Sequence, residues 1–177
     1  MRCIEKRRSI RKYLPDDIST DVLKELLESA RLAPSGNNTQ PWHFIVVKDS
    51  KKKEELAGVS HNQSWMLTAP VFLVCIADAA SRIKDKDYKV LDNSPEIDLK
   101  KVIRDTAIAV EHIVLSASDK GLGTCWVAWF EQKDIRPVLN IPDDKYVVCI
   151  LTIGYPAETP EKRPRKKLDD FLHYEMW

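Results

Sequence analysis

Two periods of apolar residues organise the chain. In "STDVLKELLESARLA", Val22, Leu23, Leu26, Leu27 and Ala30 fall on one helical stripe. Ser19 stands where an N-cap belongs, and Asp21 lies in the first turn, where the helix dipole favours an anion. Ile18 and Leu23 are spaced as a hydrophobic staple, and Pro34 stops the helix. A longer stripe of Val102, Ile103, Thr106, Ala107, Val110, Ile113, Val114 and Ala117 predicts a helix over about 98–120, closed by Gly121. "WHFIVVKD" reads as a strand with a polar end and "SKKKEELAGV" as a short surface helix. The near-continuous apolar runs "APVFLVCIAD" and "KYVVCILTIGYP" predict buried strands, the first of them central and covered on both faces. "TCWVAWF" reads as a short strand or extended loop, and "EQKDIRPVLNI" as a helix broken or kinked at Pro137.

Helices and strands alternate, which predicts an α/β or α+β fold with a mixed sheet in one domain over residues 1–177. Residues 79–98 are polar, with Asn93 and Pro95 as breakers, and are expected to form a surface excursion or lid. The C-terminal end carries Leu168, Phe171, Leu172, Tyr174, Met176 and Trp177. That is too apolar for a solvated tail, and a partner subunit is the expected cover.

At 44% hydrophobic and 31% charged residues, with a net charge of +1, the chain can bury a core and stay soluble. Its charge is unevenly placed. "MRCIEKRRSIRKY" holds six Lys or Arg against one Glu, and "PEKRPRKK" five against one. Two short basic segments in a near-neutral chain point to anionic groups bound at defined places. A nucleic-acid face would raise the charge of the whole domain. Cys3, Cys75, Cys125 and Cys149 form no C-x-x-C pair, and three lie in apolar runs, as reduced core thiols of an intracellular protein do. No apolar h-region opens the chain, and no run approaches the ~20 residues that span a bilayer. A cytoplasmic protein without membrane contact is expected.

In "RRSIRKY", Arg7, Arg8 and Arg11 surround Ser9, and an extended backbone would put Arg7, Ser9 and Arg11 on one face. Arginine suits bidentate bonding to phosphate or to a carbonyl-bearing heterocycle. A solvated basic terminus would look the same. "RPRKK" is a second such cluster, or a solubilising linker; together the two could clamp one phosphate dianion. "PSGNNTQPW" offers Ser35, the amides of Asn37, Asn38 and Gln40, and a Trp, enough to read the edge of a polar ring, or to make an Asn/Gly turn against a core Trp. "GLGTCW" is neither a G-x-G-x-x-G fingerprint nor a P-loop, and reads locally as a helix stop running into a strand. His43, His61, His112 and His173 show no metal-ligand spacing, no G-x-S-x-G elbow is present, and Cys125 sits among apolar neighbours that suppress a thiolate. Anion clamps and ring-reading amides without an acid–base or metal set imply that a cofactor carries the chemistry.

In their order, "RRSIRKY", "ARLAPSGNNTQPWHFIVV", "APVFLVCIAD", "GLGTCW", "IGYP" and "RPRKKLDDFL" resemble the FMN-dependent nitroreductase family over nearly the whole chain. The resemblance implies an α+β, mainly antiparallel sheet flanked by helices. It also implies an intertwined homodimer with FMN at the subunit interface and a C-terminal arm (about 157–177) on the partner. By the same resemblance Arg7, Arg8, Ser9 and Arg11 bind FMN, with Arg165 and Lys167 at its phosphate. Pro34, Ser35, Gly36, Asn38 and Gln40 match the loop that the partner lays against the flavin, and Asn62 matches a residue near the pyrimidine end. Trp126, Val127 and Ala128 match the segment beside the reactive N5. Trp65 stands where some relatives carry Lys. The implied reaction is ping-pong. NADH or NADPH gives hydride to the flavin, and a flat electron-poor acceptor such as a nitroaromatic or quinone is then reduced at the same face, with no side chain as nucleophile or general acid. Flavin reductase or another specialised flavoenzyme of this fold is the alternative, and a flavin-binding protein without turnover a further one.

Overall fold

The computed structural model describes residues 2–85, 87–94 and 96–177; the expected breaker Pro95 lies outside them. Among these residues five α-helices, α1 (Arg2–Lys6), α2 (Thr20–Arg31), α3 (Ser50–Val59), α4 (Ile97–Asp119) and α5 (Gln132–Val138), surround four strands, β1 (Trp42–Val47), β2 (Val71–Asp78), β3 (Gly123–Val127) and β4 (Lys145–Gly154). The sheet runs β1-β2-β4-β3 with every ladder antiparallel. Among the described residues its parallel element is a single bridge, Ser9 to Thr124, beside β3.

Alternation along β2 sorts the core into two layers. Val71, Leu73 and Cys75 face α2 and α4 together with Leu26, Ala30, Val110, Ile113 and Cys149. Phe72, Val74 and Ile76 face the other way, against Leu56, Met66, Ile135 and Ile150. A strand buried on both faces needs no polar alternation, which is why its sequence reads as one apolar run. The pairing of Cys75 with Cys149 is followed by Ile76 with Val147, so Val148 is left over as a bulge. Gln132 is buried beneath it. Its side chain accepts from Val147 N at 2.8 Å and donates to Val147 O at 2.9 Å.

The predicted start of α2 and end of α4 form. Ser19 Oγ accepts from Val22 N, and Ile18 and Leu23 are both buried. Asp49, which the sequence reading did not single out, caps α3 through Lys52 N. Gly121 takes the left-handed conformation (φ +75°) that ends α4. Pro137 lies in the last turn of α5, where only the end of the helix must accommodate its missing N–H. His112, on α4, places Nδ1 3.1 Å from Ser29 O of α2 and so works as a boundary residue between helices. All four cysteines are free: Cys75, Cys125 and Cys149 are buried and Cys3 is partly exposed.

The two chain ends are stitched together beside β3. Ile10 N donates to Thr124 O, Leu14 N to Tyr155 O and Ala157 N to Lys12 O, each at 2.9 Å. Tyr13 is buried under this seam, its hydroxyl donating to Ile10 O at 2.6 Å and lying 2.8 Å from Thr152 Oγ1. Burial pushes its phenol well above the usual range. Beyond the seam the tail runs out exposed, with Leu168, Phe171, Tyr174, Met176 and Trp177 open to solvent in the single chain. Among the described residues no helix is long and apolar enough to cross a membrane.

Candidate functional site

The seam brings the two basic segments to one cleft of about 610 Å³, lined by Arg7, Arg8, Ser9 and Arg11 from the N-terminal end and by Lys162, Arg163 and Arg165 from the C-terminal end. The first segment is not simply extended. It leaves the short helix α1 before running beside β3, yet Arg7, Ser9 and Arg11 still share the cleft. Glu5, Glu158 and Glu161 also line it. Glu158 Oε1 accepts from Arg11 N at 2.6 Å. Among the described residues no Arg or Lys of either cluster enters an ion pair, whereas the acid–base pairs elsewhere include Lys145 with Asp78 and Asp144. Arg8 Nη1 donates to the carbonyls of Glu5, Lys6 and Arg7, closing the end of α1, while its Nε is buried without a partner. Arg165 Nη1 reaches the carbonyls of Arg163 and Pro164. Lys167 does not line the cleft; its N–H donates to Asp170 Oδ2.

From this cleft a band of contacts leads to two further candidate segments. The Arg11 guanidinium lies 5.7 Å from the centre of the Trp65 ring. Trp65 stands three residues after Asn62, which is exposed and left-handed (φ +53°). His61, beside Asn62, stacks on Trp129 with ring centres 3.9 Å apart, which ties that turn to the end of β3. There Trp126 and Ala128 are exposed and Val127 is buried. Cys125, just before them, is buried, and desolvation pushes its thiol up, away from a nucleophilic thiolate.

The loop at 34–40 lies elsewhere. It precedes β1, at the sheet edge opposite β3. Its Gly36 N–H donates to Asp105 on α4, whereas Ser118, thirteen residues further along α4, lines a smaller pocket that adjoins the basic cleft and shares Arg7 and Arg8 with it. At 1.5 Å per residue those two points are roughly 20 Å apart. Pro34, Ser35, Gly36, Asn38 and Gln40 therefore do not meet Arg7, Arg8, Ser9, Arg11 and Arg165 within one chain.

Sequence reasoning missed Arg82, whose Nη2 donates to Gly36 O, and its partner Asp105. Asp105 left a trace, an acid inside the apolar stripe of a long helix; Arg82 left none.

An α+β domain in three layers, with both chain ends zipped to one edge of an antiparallel sheet and unpaired arginines between them, defines the class as the nitroreductase fold. The chain belongs to the Nitroreductase family, which it matches over residues 4–155. It is 28% identical over 184 residues to the FMN reductase (NAD(P)H) of Bacillus subtilis, covering 100% of this chain and 74% of that one. It is 30% identical over 173 residues to the NADH dehydrogenase of Thermus thermophilus, covering 86% and 84%. Among solved structures, a nitroreductase family protein from Clostridium novyi superposes with a TM-score of 0.75 at 35% identity, covering 92% and 87%.

Proposed function

We propose that this protein is an FMN-dependent oxidoreductase that draws electrons from NADH or NADPH and passes them to flat, electron-poor acceptors, nitroaromatics and quinones among them. The observation that carries the reading is the cleft in which cations from opposite ends of the chain converge without ion-pair partners. Such a cleft suits a phosphate dianion joined to a carbonyl-bearing ring. The buried, unpartnered Arg8 Nε fits the same picture, since a lone buried donor is costly unless a ligand or water completes it. The names of the Bacillus and Thermus relatives support the choice of flavin and nicotinamide.

On this reading Arg7, Arg8, Arg163 and Arg165 hold the phosphate, with Lys167 swinging in from the neighbouring turn. Ser9 and Arg11 meet the ring side. Arg11 is held in place by Glu158 at its backbone and by Trp65 beneath its guanidinium. Asn62 and the backbone of Trp126, Val127 and Ala128 flank the same side. Because the 34–40 loop is remote within one chain, Pro34, Ser35, Gly36, Asn38 and Gln40 serve the site of a second copy, and the working unit is a homodimer whose arm (about 157–177) lies on the partner. FMN, when bound, supplies the hydride and electron chemistry. The chain's own part is to bind and orient the ring and to keep water from it.

The test is optical. Protein stripped of flavin is titrated with FMN, then given NADH or NADPH without oxygen, then screened with a nitroaromatic, a quinone and free FMN as acceptors. Saturable yellow colour that bleaches with the nicotinamide and returns with acceptor is expected. A protein that takes up no FMN ends the proposal. Turnover confined to free FMN would identify a flavin reductase, the reading favoured by the Bacillus relative, and binding without bleaching would identify a non-catalytic flavin carrier.

A further inference from the structure

The 34–40 loop does not hold its own shape. Asn37, Asn38 and Gln40 all sit in the left-handed region (φ +55°, +55° and +47°), which side-chain-bearing residues adopt at a cost. Its internal bonds are few: Asn38 N to Ser35 O, Gln40 N to Ser35 Oγ, Gln40 Nε2 to Asn38 O, and a long contact from Thr39 N to Gly36 O. What fixes it comes from outside. Gly36 N donates to Asp105 Oδ2 at 3.1 Å, and Gly36 O accepts from Arg82 Nη2 at 2.7 Å. The carboxylate and the guanidinium lie 3.7 Å apart, their side chains only 11% and 14% exposed. An opposed pair of charges thus grips the donor and the acceptor of one residue. A Cβ at position 36 would meet Arg82 Nη2, so any side chain there would push the guanidinium out of its present place.

Stability alone is a poor account of this pair. Removing two charges from water is expensive, and Arg82 Nε is buried with no partner at all. Arg82 also opens the polar excursion, and that segment is tied down further along. Val90 N donates to Asp143 O at 2.8 Å, and Asp92 accepts from Gln132 N at 3.0 Å, at the start of α5. The excursion is therefore a strap running from the 34–40 loop to the segment after β3, and its first link is Arg82.

We propose that Arg82 and Asp105 are positioning residues that hold the 34–40 loop ready to receive FMN, so that FMN affinity depends on two side chains that touch no ligand. The proposal rests on the functional reading above. It is tested on the full-length protein without flavin, in wild type, Arg82→Ala, Arg82→Lys and Asp105→Asn. FMN affinity is measured by flavin fluorescence quenching, and loop order by amide hydrogen exchange across residues 35–40. Losing a hydrogen bond to a charged group predicts FMN binding about tenfold to a hundredfold weaker in Arg82→Ala. Exchange at 35–40 is faster, and millimolar guanidinium restores part of the affinity. Arg82→Lys recovers part of both readouts. The isosteric Asp105→Asn moves both in the same direction and serves if Arg82→Ala is poorly folded. Folded variants that bind FMN like wild type, or bind it weakly with unchanged exchange at 35–40, overturn the latch. Wild-type protein that binds no FMN overturns the functional reading itself, while the exchange data still report whether the latch orders the loop.

Discussion

Arg11 shows how one side chain is placed by several cheap contacts. Its backbone N–H is held by Glu158 and its guanidinium rests over Trp65, so the cation is positioned without being neutralised by an ion pair. Glu158 bonds the peptide and leaves the guanidinium free. Trp65 acts as a platform for that cation. A fixed positive charge beside the ring would favour the electron-rich flavin. Arg11→Ala should therefore lower the FMN midpoint potential, measured by dye-coupled anaerobic titration. An unchanged potential would remove Arg11 from that role.

Among the elements, β3 and the strip beside it matter most. Gly123 reads in sequence as part of a helix stop, and Gly121 alone does that work. A Cβ on Gly123 would come within 2.6 Å of Ile10 Cγ1, 2.8 Å of Ile10 Cβ and 3.0 Å of Ile10 Cγ2. Its bareness lets the N-terminal strip lie against the strand. Gly123→Ala should cost about 1–3 kcal/mol by overpacking and weaken FMN binding through a displaced Ser9 and Arg11. Thermal melts and flavin titration of the same sample check both halves. The regular elements were legible because each obeys a local rule: the stripe and Ser19 cap of α2, the long stripe of α4, the unbroken apolar run of β2. The short helix α1 was not, since it is fastened by Arg8 on its last carbonyls and by Ser118 Oγ on Cys3 O, a contact from far along the chain. The candidate site was half legible. Both basic clusters announce themselves by charge, but their meeting depends on bridges such as Tyr13 to Pro156, which no local pattern encodes. The Arg82–Asp105 pair escaped for the same reason.

For the whole molecule, the distance between the basic cleft and the 34–40 loop, together with the apolar, exposed arm, argues for a working unit of two chains. Deleting residues 168–177 should shift the protein from dimer to monomer in light scattering and abolish tight FMN binding, while the far-ultraviolet dichroism of the domain persists. A truncated dimer that still binds FMN tightly would contradict the assembly proposed here.

The cysteines give this architecture a built-in reporter. Cys75 and Cys149 face each other across the two central strands with no solvent exposure, Cys125 is nearly as enclosed, and burial raises the Cys125 and Cys149 thiols further from their reactive form. A thiol reagent should thus modify Cys3 promptly and the other three only as fast as the sheet itself comes apart. Timing that slow labelling would turn ordinary sulfur chemistry into a clock for how long each native molecule survives between unfoldings, and prompt labelling of all four would mean that the central strands open far more readily than their packing implies.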